Sequence, residues 1–370
     1  MTIKVDTITN VAGTGAPNIP DGVTIAGVAP ASANTMDYYA QGTEPSSPKD
    51  AAVWYDTGTD QFKMYVNDEW VEISYTNLPP VWRGNRALFA GGNATTGNVN
   101  VIQYLSIDTT SNATDFGNLL SATDALGGVS DGSRGVFAGG NPAVNVIQYV
   151  TIATTGNATD FGDLTLSRLV RDGRCSDGVY GLFAGSDTNN NIVDYITIAT
   201  TGNATDFGDM LGARSHPAGC SDGTYGVFAG GYPGATGVAD NVIQYFTVAT
   251  PGNATDFGDL TVGRYGLGGA SNETRGLFGG GYTGGTYYNL IDYITIATPG
   301  NATDFGNLTL ARRYTTACAN STRTVWGGGQ SQSITRTNTI DYVTMDTLGN
   351  ASDFGDLLAG VIGPGSCSGD

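Results

Sequence analysis

The string Asn-Ala-Thr-Asp-Phe-Gly occurs five times in this chain, and a sixth copy reads Asn-Ala-Ser-Asp-Phe-Gly. The copies begin at Asn112, Asn157, Asn203, Asn253, Asn301 and Asn350, at intervals of 45, 46, 50, 48 and 49 residues. A period of this size marks a stack of like supersecondary units. A residue that recurs in every copy therefore serves the fold before it serves any chemistry.

One unit, residues 214–258, shows the pattern. Ala218-Gly219-Cys220 leads into the tight-turn signal Ser221-Asp222-Gly223. Tyr225-Gly226-Val227-Phe228-Ala229 follows and closes on Gly230-Gly231. After a variable loop, residues 242–249 alternate β-branched and aromatic side chains as a strand does. Pro251-Gly252-Asn253 turns the chain, and residues 255–260 make a short fourth strand. Four short strands in a period of about 45 residues form one blade of a β-propeller. No stretch carries sustained helical periodicity, so the expected fold is all-β.

The ends set the blade count. The first unit begins near Arg83, already at the turn before Leu88-Phe89-Ala90-Gly91-Gly92, and lacks a first strand. The tail Ser366-Cys367-Ser368-Gly369-Asp370 matches a first strand, with Cys367 where Cys220 stands in its own unit. The carboxyl-terminal strand is thus expected to complete the first blade and close a six-bladed ring over residues 81–370, leaving no free edge. Residues 1–40 and 41–80 precede it as an amino-terminal segment and a small module. Residues 2–8 and 23–25 read as short strands, and Val53-Trp54-Tyr55-Asp56, residues 62–66 and residues 70–73 as a three-strand meander. Such small pieces bury little core and need a partner chain or the propeller surface.

Charge narrows the partners. Against 34 acids stand 16 bases, for a net charge of −18. The three lysines, Lys4, Lys49 and Lys63, all precede the repeats. This balance points away from nucleic acid and anionic membranes. No apolar run has the length of a membrane span, and no secretion signal is visible. Cys175, Cys220, Cys318 and Cys367 share one register position, where Val129 and Ala270 stand in the other two units. They read as small buried apolar residues rather than disulfides or zinc ligands.

Several motifs mislead. Asp-Phe-Gly is a kinase signature, but no glycine-rich loop, strand lysine or catalytic loop accompanies it. Asn-Ala-Thr is a glycosylation sequon, yet six copies in register read as turn chemistry, with Asn in a left-handed backbone. His216 is the only histidine, so no nucleophile–histidine set can be assembled. It sits in a polar loop and reads as solvated. The acids of the repeat read as turns and caps. No calcium-loop spacing is present. The expectation is a chain that is not an enzyme and carries no cofactor or metal.

Strand connectivity sends first-to-second and third-to-fourth turns to one face of the disc, where they are nearly constant. Second-to-third loops and blade links share the other face, where the loops at 93–100, 141–145, 186–191, 232–241, 282–290 and 330–339 all differ. Variation of this kind is where binding concentrates, or else unconstrained drift. The candidates there are Tyr232, Tyr282, Tyr287 and Tyr288 in loops, with Tyr265 and Tyr314 in links. Aromatic planes beside Asn and Asp suit sugars, though Tyr287-Tyr288 could equally pack the loop. Arg168, Arg214, Arg264 and Arg312 hold one position in four links. They either clamp an anion at the channel mouth or donate to backbone carbonyls at the blade junctions, the second being favoured by their repetition.

The Gly-Gly doublets, the Arg before the first strand and the Tyr of the third strand resemble kelch repeats in all six units. The chain departs where kelch has a fourth-strand Trp, because Phe of Asp-Phe-Gly stands there. Residues 12–24, Ala-Gly-Thr-Gly-Ala-Pro-Asn-Ile-Pro-Asp-Gly-Val-Thr, resemble the amino-terminal stretch of many tailed-phage fibre proteins. Pro45-Ser46-Ser47-Pro48-Lys49-Asp50, through Trp54-Tyr55-Asp56 to Trp70-Val71-Glu72, is similar to a small module of such fibres. The propeller units resemble those of virion structural proteins from phages of cyanobacteria. The resemblance implies a tail appendage, commonly trimeric, attached to other virion proteins through residues 1–80. Its disc would present the varied face to host surface glycan. A capsid or tail decoration whose disc docks other virion proteins is the alternative, and a glycan hydrolase is disfavoured because no sialidase-type Asp-box is visible.

Overall fold

The computed structural model describes residues 84–369 except 187–189, 235–237 and 334, together with 3–4, 24–25, 38–41, 52–56, 61–66 and 69–72. The chain divides into two compact units, Met1–Leu78 and Pro79–Asp370.

In the first unit, Ile3–Lys4 pairs antiparallel with Thr24–Ile25. The expected meander is formed by Val53–Asp56, Gln61–Val66 and Glu69–Glu72. Tyr65 and Trp70 pack edge to face at 5.3 Å. A fourth strand, Tyr38–Gln41, adds to it in parallel with Val53–Asp56. A parallel partner joins without a tight turn, so no turn signal announces it. The remainder of the strand expected at 2–8, the link at 42–49 and the meander's turns lie outside the described residues.

The second unit is six four-stranded antiparallel sheets arranged as a ring of blades. Blade 1 takes its inner strand, Gly365–Gly369, from the carboxyl end, pairing it with Arg86–Ala90. The expected closure by the carboxyl-terminal strand is therefore present. The other inner strands are Gly127–Ser130, Arg174–Ser176, Ala218–Ser221, Gly268–Ser271 and Thr316–Ala319, and each contacts its neighbours around the ring.

The second strands, buried at four consecutive positions, and the third strands beside them drive the packing. Each second strand buries one large ring at the same position: Phe89, Phe137, Phe183, Phe228, Phe278 and Trp326, all fully inaccessible. Each third strand offers a Tyr to the Phe of the next Asp-Phe-Gly, edge to face at 5.5–6.0 Å. Each core cluster crosses a junction between blades, as Leu88, Phe116, Phe137 and Val150 do. Burying one such ring stabilises the ring of blades by about 2–3 kcal/mol before ordering costs.

The repeated string does most of its work between blades. The Asn side-chain oxygen accepts the backbone N–H that follows Asp-Phe-Gly in the preceding blade, at 2.9–3.1 Å in all six junctions. The next residue, Ala, donates its N–H to the same preceding residue at 2.8 Å. None of the six Asn residues has a positive φ. The left-handed turn expected for them is thus replaced by a strap, whose donor lies 39–44 residues earlier for five copies and across the ring closure for Asn112. The Gly of the string sits at a bulge with φ between 142° and 151°. A Cβ there would fall 2.1–2.5 Å from a carbonyl oxygen of the next blade, so only Gly lets the straps close.

Candidate binding face

Each link between blades holds one residue in the left-handed region: Ala125, Arg171, His216, Gly266, Tyr314 and Gly363, with φ of 55–70°. Around the ring, Ala125 N donates to Gly363 O, Arg171 N to Ala125 O, Gly266 N to His216 O, Tyr314 N to Gly266 O, and Gly363 N to Tyr314 O, at 2.7–3.2 Å. This backbone ring frames the axis of the disc. Four of its members carry side chains, each at a conformational cost of roughly 1 kcal/mol or more. Backbone held this way imposes fixed side-chain directions at the centre of the face.

A second ring surrounds it. The link residue before the left-handed position bridges the residue after Gly-Gly: Asn93 with Ile362, Asp124 with Asn141, Ser215 with Tyr232, Tyr265 with Tyr282 and Arg313 with Gln330. These bridges bring loop and link residues of blades 4, 5 and 6 together. Tyr265 lies 5.5 Å from Tyr232, 5.6 Å from Tyr282 and 6.1 Å from Tyr314, centre to centre. The hairpin of Tyr282–Thr283 and Thr286–Tyr287 sets Tyr287 at 5.0 Å from Tyr282. Five of the six candidate tyrosines thus form one half-buried cluster. Tyr288 stands apart: its N–H donates to Gly281 O and its phenol lies beside the buried Arg264.

Arg313 was missed by sequence reasoning. Its guanidinium carbon lies 4.5 Å from the Tyr282 ring centre and 4.7 Å from that of Tyr314. It donates to Tyr265 Oη and Gln330 Oε1, both at 3.0 Å. Arg171 covers the same Tyr314 ring at 4.3 Å. His216, expected in solvent, is instead packed 5.4 Å from Tyr314 and 5.8 Å from Tyr265. Loss of water, with Arg171 and Arg313 nearby, holds its pKa well below 6.5. It is a neutral imidazole at pH 7.

The four repeated arginines leave this face. Arg168, Arg264 and Arg312 are 0–1% exposed. They pair at 2.9–3.1 Å with Asp194, Asp292 and Asp341 on the third strand of the next blade. Each also donates to a second-strand carbonyl: Phe183 O, Phe278 O or Trp326 O. Arg214, 4% exposed, pairs with Asp240 at 3.4 Å. They are struts of the junctions, and an anion clamp built from them has no accessible guanidinium. Where the third-strand acid is replaced by Gln103, Gln148 or Gln244, its amide oxygen takes the backbone N–H of Leu358, Leu120 or Leu211. At acid junctions Thr165, Thr261 and Thr309 bond the carboxylate through N–H and hydroxyl.

Below the face, one ion pair reaches across the axis. Arg174 meets Asp172 at 3.0 Å and donates to Ala317 O and to Ser366 Oγ. Asp172 also accepts from Thr316 Oγ1 and Gly269 N. The other inner strands hold Gly128, Gly219, Gly269, Ala317 and Ser366 at the position of Arg174, which leaves room for one long side chain. Burial raises the Asp172 pKa against the pull of Arg174. The four cysteines are buried and none forms a disulfide, as expected. Burial pushes the Cys367 thiol up to about 12 and the Cys175 and Cys318 thiols up as well, so they are inert packing groups.

Among the described residues no group of three His, Cys, Asp or Glu is placed to hold a metal ion, and no helix is long and apolar enough to cross a membrane. The propeller fold and its tyrosine-rich face rest on the chain itself: no protein-family model matches it, and no curated protein sequence matches it.

Proposed function

We propose that the link face binds a saccharide of a host cell surface and that the chain is a phage virion appendage. Residues 1–80 attach it, as a homotrimer, to other virion proteins. The reading is supported above all by the gathering of Tyr232, Tyr265, Tyr282, Tyr287 and Tyr314 on one side of a face whose loops differ from blade to blade. Half-buried phenol rings offer flat apolar planes for sugar C–H groups and hydroxyls for their oxygens, with little side-chain entropy left to lose. The negative net charge of 18 disfavours nucleic acid and anionic lipid as the target. Binding, rather than catalysis, is the proposed activity; release of reducing sugar from a bound polysaccharide would refute that part.

The full chain on a glycan array tests the reading. Tyr282→Ala and Tyr287→Ala should each weaken the retained glycans about tenfold, the scale of losing one stacking contact plus a hydrogen bond. Unchanged retention in both variants would sink it. The alternative, a docking plate for other virion proteins, draws on Leu120, Leu211 and Leu358, which are 50–54% exposed. Single exposed leucines are ordinary surface, which ranks that reading second.

A further inference from the structure

Arg171 and Arg313 flank one ring. Their guanidinium carbons lie 4.3 and 4.7 Å from the centre of Tyr314. Burial holds His216 neutral, and both positive fields reach it and add to that. The chain has 16 bases in 370 residues, and two of them meet here around a single side chain. Among the described residues neither is ion-paired, whereas Arg168, Arg174, Arg214, Arg264 and Arg312 all are. Asp124, whose charge reaches Arg171, is hydrogen-bonded by Asn141 Nδ2 at 2.9 Å.

The hydrogen bonding of Arg171 is incomplete, as it is at single donors of the ion-paired Arg174, Arg214 and Arg312. Arg171 Nε and Nη1 are shielded from water and have no acceptor. Arg313 spends Nε on Gln330 and one Nη on Tyr265, both neutral acceptors. Two cations stacked on the faces of Tyr314 and Tyr282, neither of them in an ion pair among the described residues, are a site prepared for an anion.

Resting on the saccharide reading above, we propose that the ligand is an anionic saccharide. Its carboxylate or sulfate lies between Arg171 and Arg313 beside Tyr314, and its rings extend over Tyr282, Tyr287 and Tyr232. The left-handed backbone at residues 171 and 314 fixes where the acidic group sits. The tyrosines supply the part of the affinity that does not depend on charge.

The test uses the full chain on an array carrying hexuronate and sialylated glycans, sulfated glycans, and neutral glycans of the same linkages. Wild type should favour the acidic members over their neutral counterparts by about tenfold or more, the scale of one charge-assisted hydrogen bond. Arg171→Gln and Arg313→Gln should weaken acidic glycans about tenfold more than their neutral counterparts and so abolish the preference, while Tyr282→Ala lowers all arms by the same factor. Arg171→Lys should keep much of it. If a Gln variant fails to fold, salt titration of the wild type still decides, because acidic-glycan binding should fall with salt and neutral binding should not. The carboxylated and sulfated arms identify which anion is taken. Equal binding of acidic and neutral glycans, or a preference untouched by both Gln variants, overturns the inference and spares the saccharide reading. No binding in any arm overturns both.

Discussion

Arg312 is inaccessible and pairs with Asp341, whereas Arg313, the next residue, is half-buried and lies over the rings of Tyr282 and Tyr314. The position of Arg312 carries Arg in three other links; that of Arg313 carries Leu169, Ser215 and Tyr265 there. The first residue is what a blade junction requires. The second is something one link has and the others lack. Within a repeat protein, recurrence marks the requirements of the fold, and departure from the repeat marks what the fold leaves free to specialise. Arg171 and Arg174 follow the second pattern: Arg171 stands where the other links have Ala125, His216, Gly266, Tyr314 and Gly363, and Arg174 stands on an inner strand where the others hold Gly, Ala or Ser.

The largest test of that division is Arg312→Ala. It leaves Asp341 buried with Thr309 but no countercharge, and should cost about 3–5 kcal/mol in denaturant unfolding while leaving glycan retention unchanged. The triple variant Thr309→Leu, Arg312→Thr, Asp341→Gln reproduces the residues Leu120, Thr123 and Gln148 of the first junction. It should recover most of the loss, because both partners are then replaced together. If it stays as unstable as the single variant, the junction account is wrong. Arg313→Ala should cost only about 1–2 kcal/mol of stability, the scale of its contacts with the rings.

Next in size is a pH effect at His216. Its pKa lies well below 6.5 in the folded chain and returns to about 6.5 on unfolding. Between those values the unfolded chain binds more protons, so stability is full above pH 6.5 and falls as acid is added. The slope approaches 1.4 kcal/mol per pH unit, on the order of one proton linked to unfolding. His216→Asn, which tolerates the left-handed backbone, should remove that slope between pH 6.5 and the folded value. Asp124, Asp172 and Asp177 have pKa values raised above 3.8 by burial, so they act with the opposite sign from pH 3.8 up to their folded values. Identical slopes for wild type and variant would place His216 in solvent after all.

The blades, their number and the closing strand were legible because they depend on local alternation and on a covalent period. The tyrosines were legible because loop variation is visible within one sequence. Contacts that converge on the axis were not. Arg171 meets Tyr314 across more than 140 residues, and Asp172 meets Thr316 across 144, with no local pattern to join them. His216 was misread for the same reason: a polar stretch of sequence says nothing of a backbone ring that turns one residue of each link inward. The asparagines were misread because their partners lie a full blade away.

The smallest effect is also the sharpest for the division between repeat and departure. Asn203 Oδ1 accepts Asp163 N–H at 3.1 Å, in an exposed setting where water can replace it. Asn203→Ala should therefore cost only about 1 kcal/mol, the net worth of such a bond. Asn350 makes the same bond to Asn307 in a separate junction, at 3.0 Å. The double variant should lose the sum of the two single losses to within about 0.5 kcal/mol, since the straps share no partner. Neither should alter glycan retention, because the straps close the face opposite the tyrosines. A strap variant that kept full stability yet lost retention would mean that the repeated residues reach the ligand, and the division drawn from Arg312 and Arg313 would fail.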